Sequence, residues 1–452
     1  MEKTLVIGSG VSGISAANLL NAKGITPVVF DGNEELHKED IAAKLANPSE
    51  AEIYIGFIPD EAIAEVKDVV LSPGVPIDSP MVNELRKRGM KILGEVELAY
   101  GFDKGKVLAI TGTNGKTTTT SLLGKIMQDD MHNAFIVGNI GNPYTEAVFS
   151  TTKDSVTVAE ISSFQLETVN DFHPVVTTIL NITPDHLNRH HTMEQYILEK
   201  EKITRRQTKD EYVVLNHEDE ILLGFGKELI KSEEGPMPFW FSSCEELEEG
   251  IFLRDNRIIL KSKGVEHDLL AVDEMQIIGL HNVENAMAAI AMAFLFGVSI
   301  EHIVKSVKEF KAVPHRIEFI TEKNGVVYYN DSKGTNVDAA IKGIRAMTKP
   351  TLLIGGGYDK GAEFDEWIDA FGGKVKKLVL IGQTKEKIAA CAQNHGFEDY
   401  VYAQTLADAV QICASEANPG DAVLLSPACA SWGMFKNYEE RGDMFREIVE
   451  NL

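Results

Sequence analysis

The feature that most constrains this chain is an apolar run leading into a glycine-rich turn, VLAITGTNGKTTTT at residues 107–120. The apolar residues predict a buried strand, and Gly112 and Gly115 let the backbone turn its N–H groups toward a phosphate. Lys116 adds a positive charge for the terminal phosphates, and the Thr117 hydroxyl is placed to bind Mg²⁺. A helix predicted to follow would also favour an anion at its N-terminus. Together, the strand, loop and helix predict an ATP-binding site.

The loop departs from the strict P-loop motif, because that motif has a glycine where this chain has Ile110. The alternative is a flexible Gly/Asn loop ahead of an ordinary helix, predicted here over residues 121–127. We favour the nucleotide hypothesis, because the strand, the loop, the Lys-Thr pair and the helix occur together in the required order.

Length and composition indicate a soluble chain of several domains. Its 452 residues suggest about three domains of ordinary size, and 44% hydrophobic with 25% charged residues is typical of well-packed proteins. The four cysteines are scattered without a CxxC pair, which favours reduced thiols in a cytoplasmic protein over disulfides or a zinc site. The net charge of −24 argues against nucleic-acid binding, and the longest apolar run, 286–298, is too short to cross a membrane.

The N-terminus carries a second glycine-rich turn, GSGVSG at residues 8–13, between a predicted strand and a predicted helix. The next predicted strand ends at Asp31, near the position where dinucleotide-binding folds place a ribose contact. Alone, this fingerprint is typical of NAD-dependent dehydrogenases, but other nucleotides bind such turns as well. A later strand runs into a tight turn at Gly74, which is either a plain turn or part of a ligand crevice.

Polar residues also follow the strands after the ATP loop. Glu160 ends an apolar strand, where a second Mg²⁺ ligand is expected; a solvent-facing glutamate is the alternative. His186 follows another strand and, with His190 and His191, raises a zinc hypothesis. Because no HExxH motif or nearby cysteine accompanies them, a second Mg²⁺ site or a substrate-orienting role is favoured. A helix predicted over 193–206 comes next.

The last third of the chain predicts alternating strands and helices. An alanine-rich helix opens with Asn282 and Asn285, which are either helix caps or carboxamides that bind a purine. Predicted strands at 326–330, 351–354, 378–381 and 422–425 each end in small or polar residues, which is typical of a doubly wound sheet with a ligand crevice. An acidic run at 245–249 predicts a solvated helix, and a hairpin is predicted at 250–261.

In these motifs the chain resembles the Mur ligases and the folylpolyglutamate synthetases, over essentially its whole length. The matching residues occur in the family's order: TGTNGKTT at 111–118, Glu160 with Ser162 and Ser163, His186 after NIT at 181–183, residues 279–285, His315 with Arg316, and DSK at 331–333. Within the Mur ligases, the N-terminal fingerprint, FQLE at 164–167 and residues 425–438 favour the branch that adds D-glutamate.

The resemblance implies an α/β fold of three domains. These are a Rossmann-like domain for the UDP-substrate at 1–94, a central P-loop ATPase-like domain at 95–312, and a Rossmann-like C-terminal domain at 313–452 that binds the amino acid and closes on ATP. It also implies an ATP-dependent amide-bond ligase that joins D-glutamate to UDP-N-acetylmuramoyl-L-alanine through an acyl phosphate. Such an enzyme acts in cytoplasmic peptidoglycan precursor synthesis with two Mg²⁺ ions, and we expect a monomer.

The resemblance also implies roles for individual residues around the nucleotide. Those expected to contact ATP are Gly112, Thr113, Asn114, Gly115, Lys116, Thr117, Thr118, Asn282, Asn285, Arg316 and Asp331. Thr117 and Glu160 should bind one Mg²⁺, and His186 and Lys200 the second. Lys200 matches the lysine that such enzymes carbamylate with CO₂, and Lys202 is the alternative if the register differs by two. Lys116, Glu160, His186 and Lys200 are the expected catalytic residues.

The two other substrates have their own expected contacts. The UDP group should meet Gly10, Val11, Ser12, Asp31 and Gly74, and the muramoyl-alanine part should meet Asn139, Gln165 and His186. Ser162 is also expected to contact the substrate. D-glutamate should meet Lys333, Thr335, Lys360, Ser431 and Tyr438. The chain departs from the family in having tyrosine at the last position, where phenylalanine is frequent, and Gly32 and Asn33 where a basic residue can follow Asp31.

Three alternatives stay open at the level of sequence. A sister ligase that uses another amino acid is the nearest. A folylpolyglutamate synthetase would lack the N-terminal GxGxxG domain. An NAD-dependent dehydrogenase or a nucleotide sensor would need only residues 1–94, and it would leave the second nucleotide loop and the third domain unexplained.

Overall fold

The computed structural model describes residues 2–131, 133–232, 234–311 and 313–452. These residues form three β-sheets, distributed over two compact units. The first unit comprises residues 1–271 and 284–307 and contains two of the sheets; the second comprises 272–283 and 308–452 and contains the third. No helix in the described parts of the chain has the length and hydrophobicity that a membrane span requires.

The first sheet has five parallel strands. They are β1 (Lys3–Ile7), β2 (Thr26–Asp31), β3 (Glu52–Ile55), β4 (Val66–Leu71) and β5 (Lys91–Gly94). Its helices are α1 (Val11–Ala22), α2 (Lys38–Ala42), α3 (Asp60–Ile63), α4 (Pro80–Lys87) and α5 (Glu95–Tyr100). The strand order β3-β2-β1-β4-β5 places the topological switch point between β1 and β4, where ligands of open α/β sheets bind.

The glycine fingerprint lies at this switch point, and its third glycine has a packing role. A Cβ atom on Gly13 would lie 1.8 Å from the Gly8 carbonyl oxygen, so only glycine allows α1 to pack this closely on the preceding turn. The Ser72 hydroxyl donates to the same carbonyl oxygen at 3.3 Å, which joins the turn after β1 to the turn after β4. The fingerprint and Ser72 therefore hold the turns after β1 and β4 closely together at the switch point.

The second sheet has nine strands. They are β6 (Lys106–Thr111), β7 (Ala134–Gly138), β8 (Val156–Glu160), β9 (Val176–Ile179), β10 (Tyr212–Asn216), β11 (Met237–Ser242), β12 (Gly250–Arg254), β13 (Arg257–Ser262) and β14 (Val265–Ala271). Its helices are α6 (Lys116–Asp130), α7 (Tyr144–Ala147), α8 (Ser163–Leu166), α9 (Leu187–His190), α10 (Met193–Glu201), α11 (Glu220–Ser232), α12 (Leu280–Phe296) and α13 (Ile300–Glu309). In the order β14-β13-β12-β11-β10-β9-β6-β8-β7, β6 lies between β8 and β9, so these three parallel strands end at one edge.

The third sheet has six strands, of which only β15 runs antiparallel to its neighbour. They are β15 (Glu318–Lys323), β16 (Val326–Asn330), β17 (Thr351–Gly355), β18 (Val375–Leu380), β19 (Tyr400–Tyr402) and β20 (Ala422–Leu425), in the order β15-β16-β20-β17-β18-β19. The helices are α14 (Val337–Ala346), α15 (Asp365–Asp369), α16 (Lys385–Asn394), α17 (Leu406–Glu416) and α18 (Tyr438–Glu450). Two separate apolar clusters, one with Trp367 and one with Phe445, cover the two faces of this doubly wound sheet.

The predicted α/β class is confirmed, and the three sheets fall within the predicted segments 1–94, 95–312 and 313–452, although the boundaries themselves stay a prediction. Three predicted helices need correction. The helix predicted at 121–127 begins at Lys116, and the one predicted at 193–206 ends at Glu201 and continues as a 3₁₀ turn. The acidic run 245–249 forms no helix, because four glutamates in five residues repel one another at helical spacing.

Candidate active site

The loop between β6 and α6 has a backbone that only glycine supports. Gly112 has φ of 148° and Gly115 has φ of 88°, and both values lie in the region that favours glycine. A Cβ atom on Gly115 would lie 2.1 Å from Asn285 Oδ1, and one on Gly112 would lie 3.0 Å from the Leu180 Cβ. The loop is therefore closely packed against its surroundings, and its N–H groups precede the N-terminus of α6, where an anion is favoured.

Asn181, at the end of β9, fixes the conformation of this loop. Its Oδ1 accepts from the Asn114 N–H at 2.8 Å, and its Nδ2 donates to the Asn114 carbonyl at 3.1 Å. The Thr113 N–H donates to the Asn181 carbonyl at 2.9 Å. The sequence analysis gave Asn181 no role. An asparagine directly after a strand that neighbours the strand before the loop is nevertheless a pattern that could have indicated contact with the loop.

Two lysine side chains converge on one carbonyl of the loop. Lys116 Nζ donates to the Gly112 carbonyl at 2.8 Å and to the Thr113 carbonyl at 2.9 Å, and Lys200 Nζ donates to the Gly112 carbonyl at 2.8 Å. Lys200 is 1% exposed. Its burial, reinforced by the positive charge of Lys116, holds the pKa of its amine well below the ordinary value. This amine therefore loses its proton more readily than an ordinary lysine does.

Tyr196 packs beneath the Lys200 amine, as their spacing of one helical turn requires. Lys200 Nζ lies 4.7 Å from the centre of the Tyr196 ring, and the Tyr196 hydroxyl is 3.0 Å from Thr113 Oγ1. Lys202, in contrast, has a 28% exposed side chain whose Nζ pairs with Glu199 Oε2 at 2.5 Å. The structure thus places Lys200, and not Lys202, beside the loop.

Glu160 ends β8 opposite Ile110 of β6, next to the start of the loop. It is 1% exposed, and its Oε1 accepts from Asn139 Nδ2 at 2.8 Å. Its Oε2 is buried and has no hydrogen-bond partner among the described residues. A buried carboxylate oxygen without a donor is costly unless a cation binds it. Together with the Thr117 hydroxyl in the first turn of α6, this oxygen fits the hard ligands that Mg²⁺ prefers.

His186 lies in a left-handed conformation, with φ of 53°, immediately before α9. Its half-exposed ring is 4.9 Å from the Phe164 ring, and its Nε2 is 3.5 Å from Asp185 Oδ2. The charge of Asp185 also acts on Lys200, where it opposes the lowering of the pKa. The sequence analysis assigned Asp185 no role, and the structure adds this carboxylate to the site.

The three histidines that suggested zinc have separate partners. His190 is buried with its Nε2 3.0 Å from Ser163 Oγ, whereas His191 Nε2 lies 3.4 Å from Asp78 Oδ2. His186 lies beside Asp185, as described above, so each of the three histidines has its own polar contact.

Ser162 and Gln165 form a capping box at the start of α8, just after Glu160. The Ser162 N–H donates to Gln165 Oε1 at 2.9 Å, and the Gln165 N–H donates to Ser162 Oγ at 3.3 Å. The side chains of Ser162 and Gln165 therefore act as helix caps in addition to their predicted role in substrate binding.

Arg189 pairs with the buried Glu167 at 2.6 Å and donates to the Val75 carbonyl at 2.9 Å. Arg189, which the sequence analysis missed, thus connects the switch-point turn of the first sheet to the second sheet.

A cavity of about 520 Å³ lies at the N-terminus of α1 and is lined by Gly10, Val11 and Phe149, among others. Val11 and Phe149 are exposed, and Ser12 is the second residue of α1. Asp31 does not line this cavity; its Oδ2 accepts from the Ser9 N–H at 2.8 Å and from the Ser9 hydroxyl at 2.7 Å. Gly74 lies beyond the end of β4, in the turn after the switch point.

The C-terminal unit brings the residues predicted for D-glutamate near small cavities and aromatic rings. Thr335 and Lys360 line a cavity of about 110 Å³. Lys360 Nζ lies 4.6 Å from the centre of the Trp432 ring, and Lys333 Nζ lies 5.5 Å from that of Tyr438. Ser431, which directly precedes Trp432 in the sequence, is buried.

A buried arginine that sequence reasoning missed organises this region. Arg441 donates to the Ser332 hydroxyl at 2.9 Å, to the Ser332 carbonyl at 2.8 Å and to the Cys429 carbonyl at 3.2 Å. The Ser332 hydroxyl in turn donates to the Tyr438 carbonyl at 2.8 Å. Because Lys333 follows Ser332, Arg441 fixes the backbone at two of the predicted binding residues.

The residues predicted to bind the adenine, ribose and phosphates of ATP differ from one another in burial and in hydrogen bonding. Asp331 is buried, its Oδ2 accepts from Ser426 Oγ at 2.7 Å, and burial raises its pKa to about 7. Arg316 Nε is buried and has no acceptor in the described part of the chain, which suits an anionic ligand. Asn282 Nδ2 donates to the Ile278 carbonyl at 2.8 Å, and Asn285, one turn further along α12, packs against Gly115.

Three family models match the chain in succession. They are the MurD-like N-terminal domain of Mur ligases at residues 2–94, the Mur ligase middle domain at 110–293, and the glutamate ligase domain of Mur ligases at 315–429. The chain belongs to the Mur ligase family.

Relatives within this family match the whole chain. The UDP-N-acetylmuramoylalanine--D-glutamate ligase of Lachnospira eligens is 53% identical over 100% of this chain and 99% of its own length. The ligase of the same name from Lachnoclostridium phytofermentans is 53% identical over 100% of this chain and 98% of its own length.

Solved structures support the fold. UDP-N-acetylmuramate-alanine ligase MurC of Thermotoga maritima, 17% identical, superposes with a TM-score of 0.62 over 100% of both chains. A pseudomurein peptide ligase type C of Methanothermus fervidus, 20% identical, has a TM-score of 0.58 over 100% of both chains. At these identities, the likeness shows that this chain has the Mur ligase fold.

The loop geometry predicts that Gly115→Ala weakens ATP binding about tenfold or more. The added Cβ would lie 2.1 Å from Asn285 Oδ1, and a left-handed residue other than glycine costs about 1–2 kcal/mol. Titration calorimetry with ATP measures the loss. Gly224→Ala is the matched control, because a Cβ there meets no atom within 4 Å. Equal ATP affinity in the Gly115 and Gly224 variants would contradict the assignment of the loop.

Proposed function

We propose that this chain is an ATP-dependent ligase that joins D-glutamate to UDP-N-acetylmuramoyl-L-alanine in peptidoglycan precursor synthesis. The observation that carries the proposal is the buried Lys200 amine, 2.8 Å from the Gly112 carbonyl of a phosphate loop. Full-length relatives that bear the name UDP-N-acetylmuramoylalanine--D-glutamate ligase, at 53% identity, support the choice of substrates.

The chemistry follows from the reactivity of a carboxylate. A carboxylate is a poor acylating agent, so transfer of a phosphoryl group from ATP to the alanine carboxylate first gives an acyl phosphate. Lys116 and the loop N–H groups hold the phosphates and stabilise the charge that develops during transfer. The D-glutamate amine then attacks the acyl carbon, and phosphate leaves as the amide forms.

Magnesium belongs to this proposal because Glu160 offers a buried oxygen without a partner among the described residues. Thr117 and Glu160 would hold one Mg²⁺, with His186 and Lys200 at a second, and the ions would neutralise phosphate charge when bound.

The side chain of Lys200 can bind Mg²⁺ only after its amine has been converted into an anion. Burial and the Lys116 charge lower its pKa, which leaves an amine lone pair free to react with CO₂. A bond forms between Nζ and the CO₂ carbon, and one proton is released, so that the amine becomes a carbamate anion. The carbamate anion is then attracted to the neighbouring ammonium group of Lys116.

The remaining residues divide among the substrates. We assign UDP to the region of Gly10, Val11, Ser12, Asp31 and Gly74, and muramoyl-alanine to Asn139, Ser162, Gln165 and His186. Adenosine and its phosphates are assigned to Asn282, Asn285, Arg316 and Asp331. D-glutamate carries two carboxylates, and Lys333, Lys360, Thr335, Ser431 and Tyr438 supply ammonium and hydroxyl groups that complement them. We further propose domain boundaries at 94/95 and 312/313, and a monomer that acts in the cytoplasm.

A panel of amino acids tests the choice of substrate. With UDP-N-acetylmuramoyl-L-alanine present, ADP release should depend on D-glutamate. The value of kcat/KM should be at least about 100-fold lower for L-glutamate, L-alanine, glycine and diaminopimelate than for D-glutamate. L-Alanine and glycine lack the second carboxylate and would leave ammonium and hydroxyl groups of the site unpaired. L-Glutamate, as the mirror image, and the longer diaminopimelate cannot place both carboxylates and the attacking amine in the positions that D-glutamate occupies. Faster ADP release with another amino acid would identify a sister ligase instead.

Lys200→Ala should lower kcat by about 100-fold or more, since it removes both the buried amine and any carbamate made from it. Short carboxylic acids should restore part of the rate, because they can place a carboxylate in the vacated space. Lys202→Ala is the matched control, and its kcat should stay within about threefold of wild type, because its pair with Glu199 is partly exposed. If Lys202→Ala shows the loss and the rescue, the assignment to Lys200 is wrong.

A further inference from the structure

Two short helices of the C-terminal unit bring four potential metal ligands to one surface. Asp365 and Asp369 are one turn apart on α15, and Cys391 and His395 are one turn apart at the end of α16. Residues four apart lie on the same face of a helix, so each helix presents a pair. None of these residues belongs to the proposed ligase machinery.

The distances within this cluster approach those of a metal site. Ligand atoms of Asp365, Cys391 and His395 all lie within 4.8 Å of one another. Two ligands of one tetrahedral Zn²⁺ are separated by about 3.4–3.8 Å, given the usual bond lengths of about 2.0–2.3 Å. Closing this difference requires rotation of the three side chains, of which Asp365 and His395 are exposed and Cys391 is partly buried.

His395 is already oriented by a second carboxylate. Its Nδ1 lies 2.7 Å from Asp369 Oδ1, and its Nε2 lies 3.0 Å from Asp365 Oδ1. A carboxylate that holds one ring nitrogen while the other faces the metal is the common arrangement of zinc-bound histidines. In this cluster, Asp369 would hold Nδ1 and leave Nε2 for the cation.

We propose that Asp365, Cys391 and His395 form a Zn²⁺ site, with Asp369 as the positioning residue for His395 and water as the fourth ligand. A sulfur, a nitrogen and a carboxylate oxygen are the ligand types that favour Zn²⁺ and disfavour Mg²⁺. The ion would connect α15 to α16 above the buried Trp367 and stabilise the C-terminal unit.

Without a cation, the cluster is held by charged hydrogen bonds. Asp365 and Asp369 raise the pKa of His395, and burial together with the charges of Asp365 and Asp369 raises the pKa of the Cys391 thiol. Because Zn²⁺ binds thiolate and neutral imidazole, its binding would replace protons on both residues. Sequence reasoning missed the site because its two pairs come from separate helices and contain no CxxC motif.

Competition against a chromogenic zinc chelator, with the full chain free of any affinity tag, tests the proposal. One equivalent of Zn²⁺ should bind, and Cys391→Ser and His395→Gln should each abolish this binding. Cys244→Ser, at an exposed thiol in the other unit, is the matched control and should bind as wild type does. Absence of saturable binding, or equal binding in Cys391→Ser and Cys244→Ser, would overturn the proposal.

Two further readouts separate a specific site from a folding defect. Co²⁺ should give a thiolate-to-metal absorption band with wild type and Cys244→Ser but not with Cys391→Ser, and Cys391→Ser should keep its ligase activity. Asp369→Asn should weaken Zn²⁺ binding about 10- to 100-fold without abolishing it, as expected for a residue that orients a ligand. A band that survives in Cys391→Ser, or unchanged affinity in Asp369→Asn, would contradict the assigned roles.

Discussion

The interaction on which the site depends is the pairing of two lysine amines with one loop carbonyl. Lys116 and Lys200 both donate to the Gly112 oxygen at 2.8 Å, and Lys200 has almost no access to solvent. Two ammonium groups held this close in a buried place would repel each other, and burial together with the Lys116 charge lowers the pKa of the Lys200 amine. Once neutral, this amine can become an anion that complements Lys116.

The parallel sheet explains why the partners of this pair are nearby. β6 carries the loop and lies between β8 and β9, whose ends supply Glu160 and Asn181. Because the carboxyl ends of parallel strands share one edge, a single sheet brings the Glu160 carboxylate, the Asn181 amide that fixes the loop, and the glycine-rich loop to one place. Residues proposed to act on ATP thus come from distant parts of the sequence and still lie close together.

The parts of this structure that could be predicted from sequence are those encoded locally. Apolar strands and glycine turns are local patterns, and the strands 326–330 and 422–425 have the predicted bounds. The start of α6 at Lys116 was missed, because its run of β-branched threonines disfavours a helix while the loop geometry imposes one. The hydrogen bonds from Arg441 to Ser332 and from Arg189 to Val75 join segments that are distant in sequence, so no local sequence pattern predicts them.

The central claim is that Lys200 is a buried, reactive amine beside the phosphate loop, and carbon NMR tests it most directly. The protein is equilibrated with carbon-13-labelled bicarbonate and compared with its Lys200→Ala and Lys202→Ala variants. A single carbamate resonance should appear in wild type and in Lys202→Ala and should be missing from Lys200→Ala. Its absence from wild type, or its persistence in Lys200→Ala, would contradict the account.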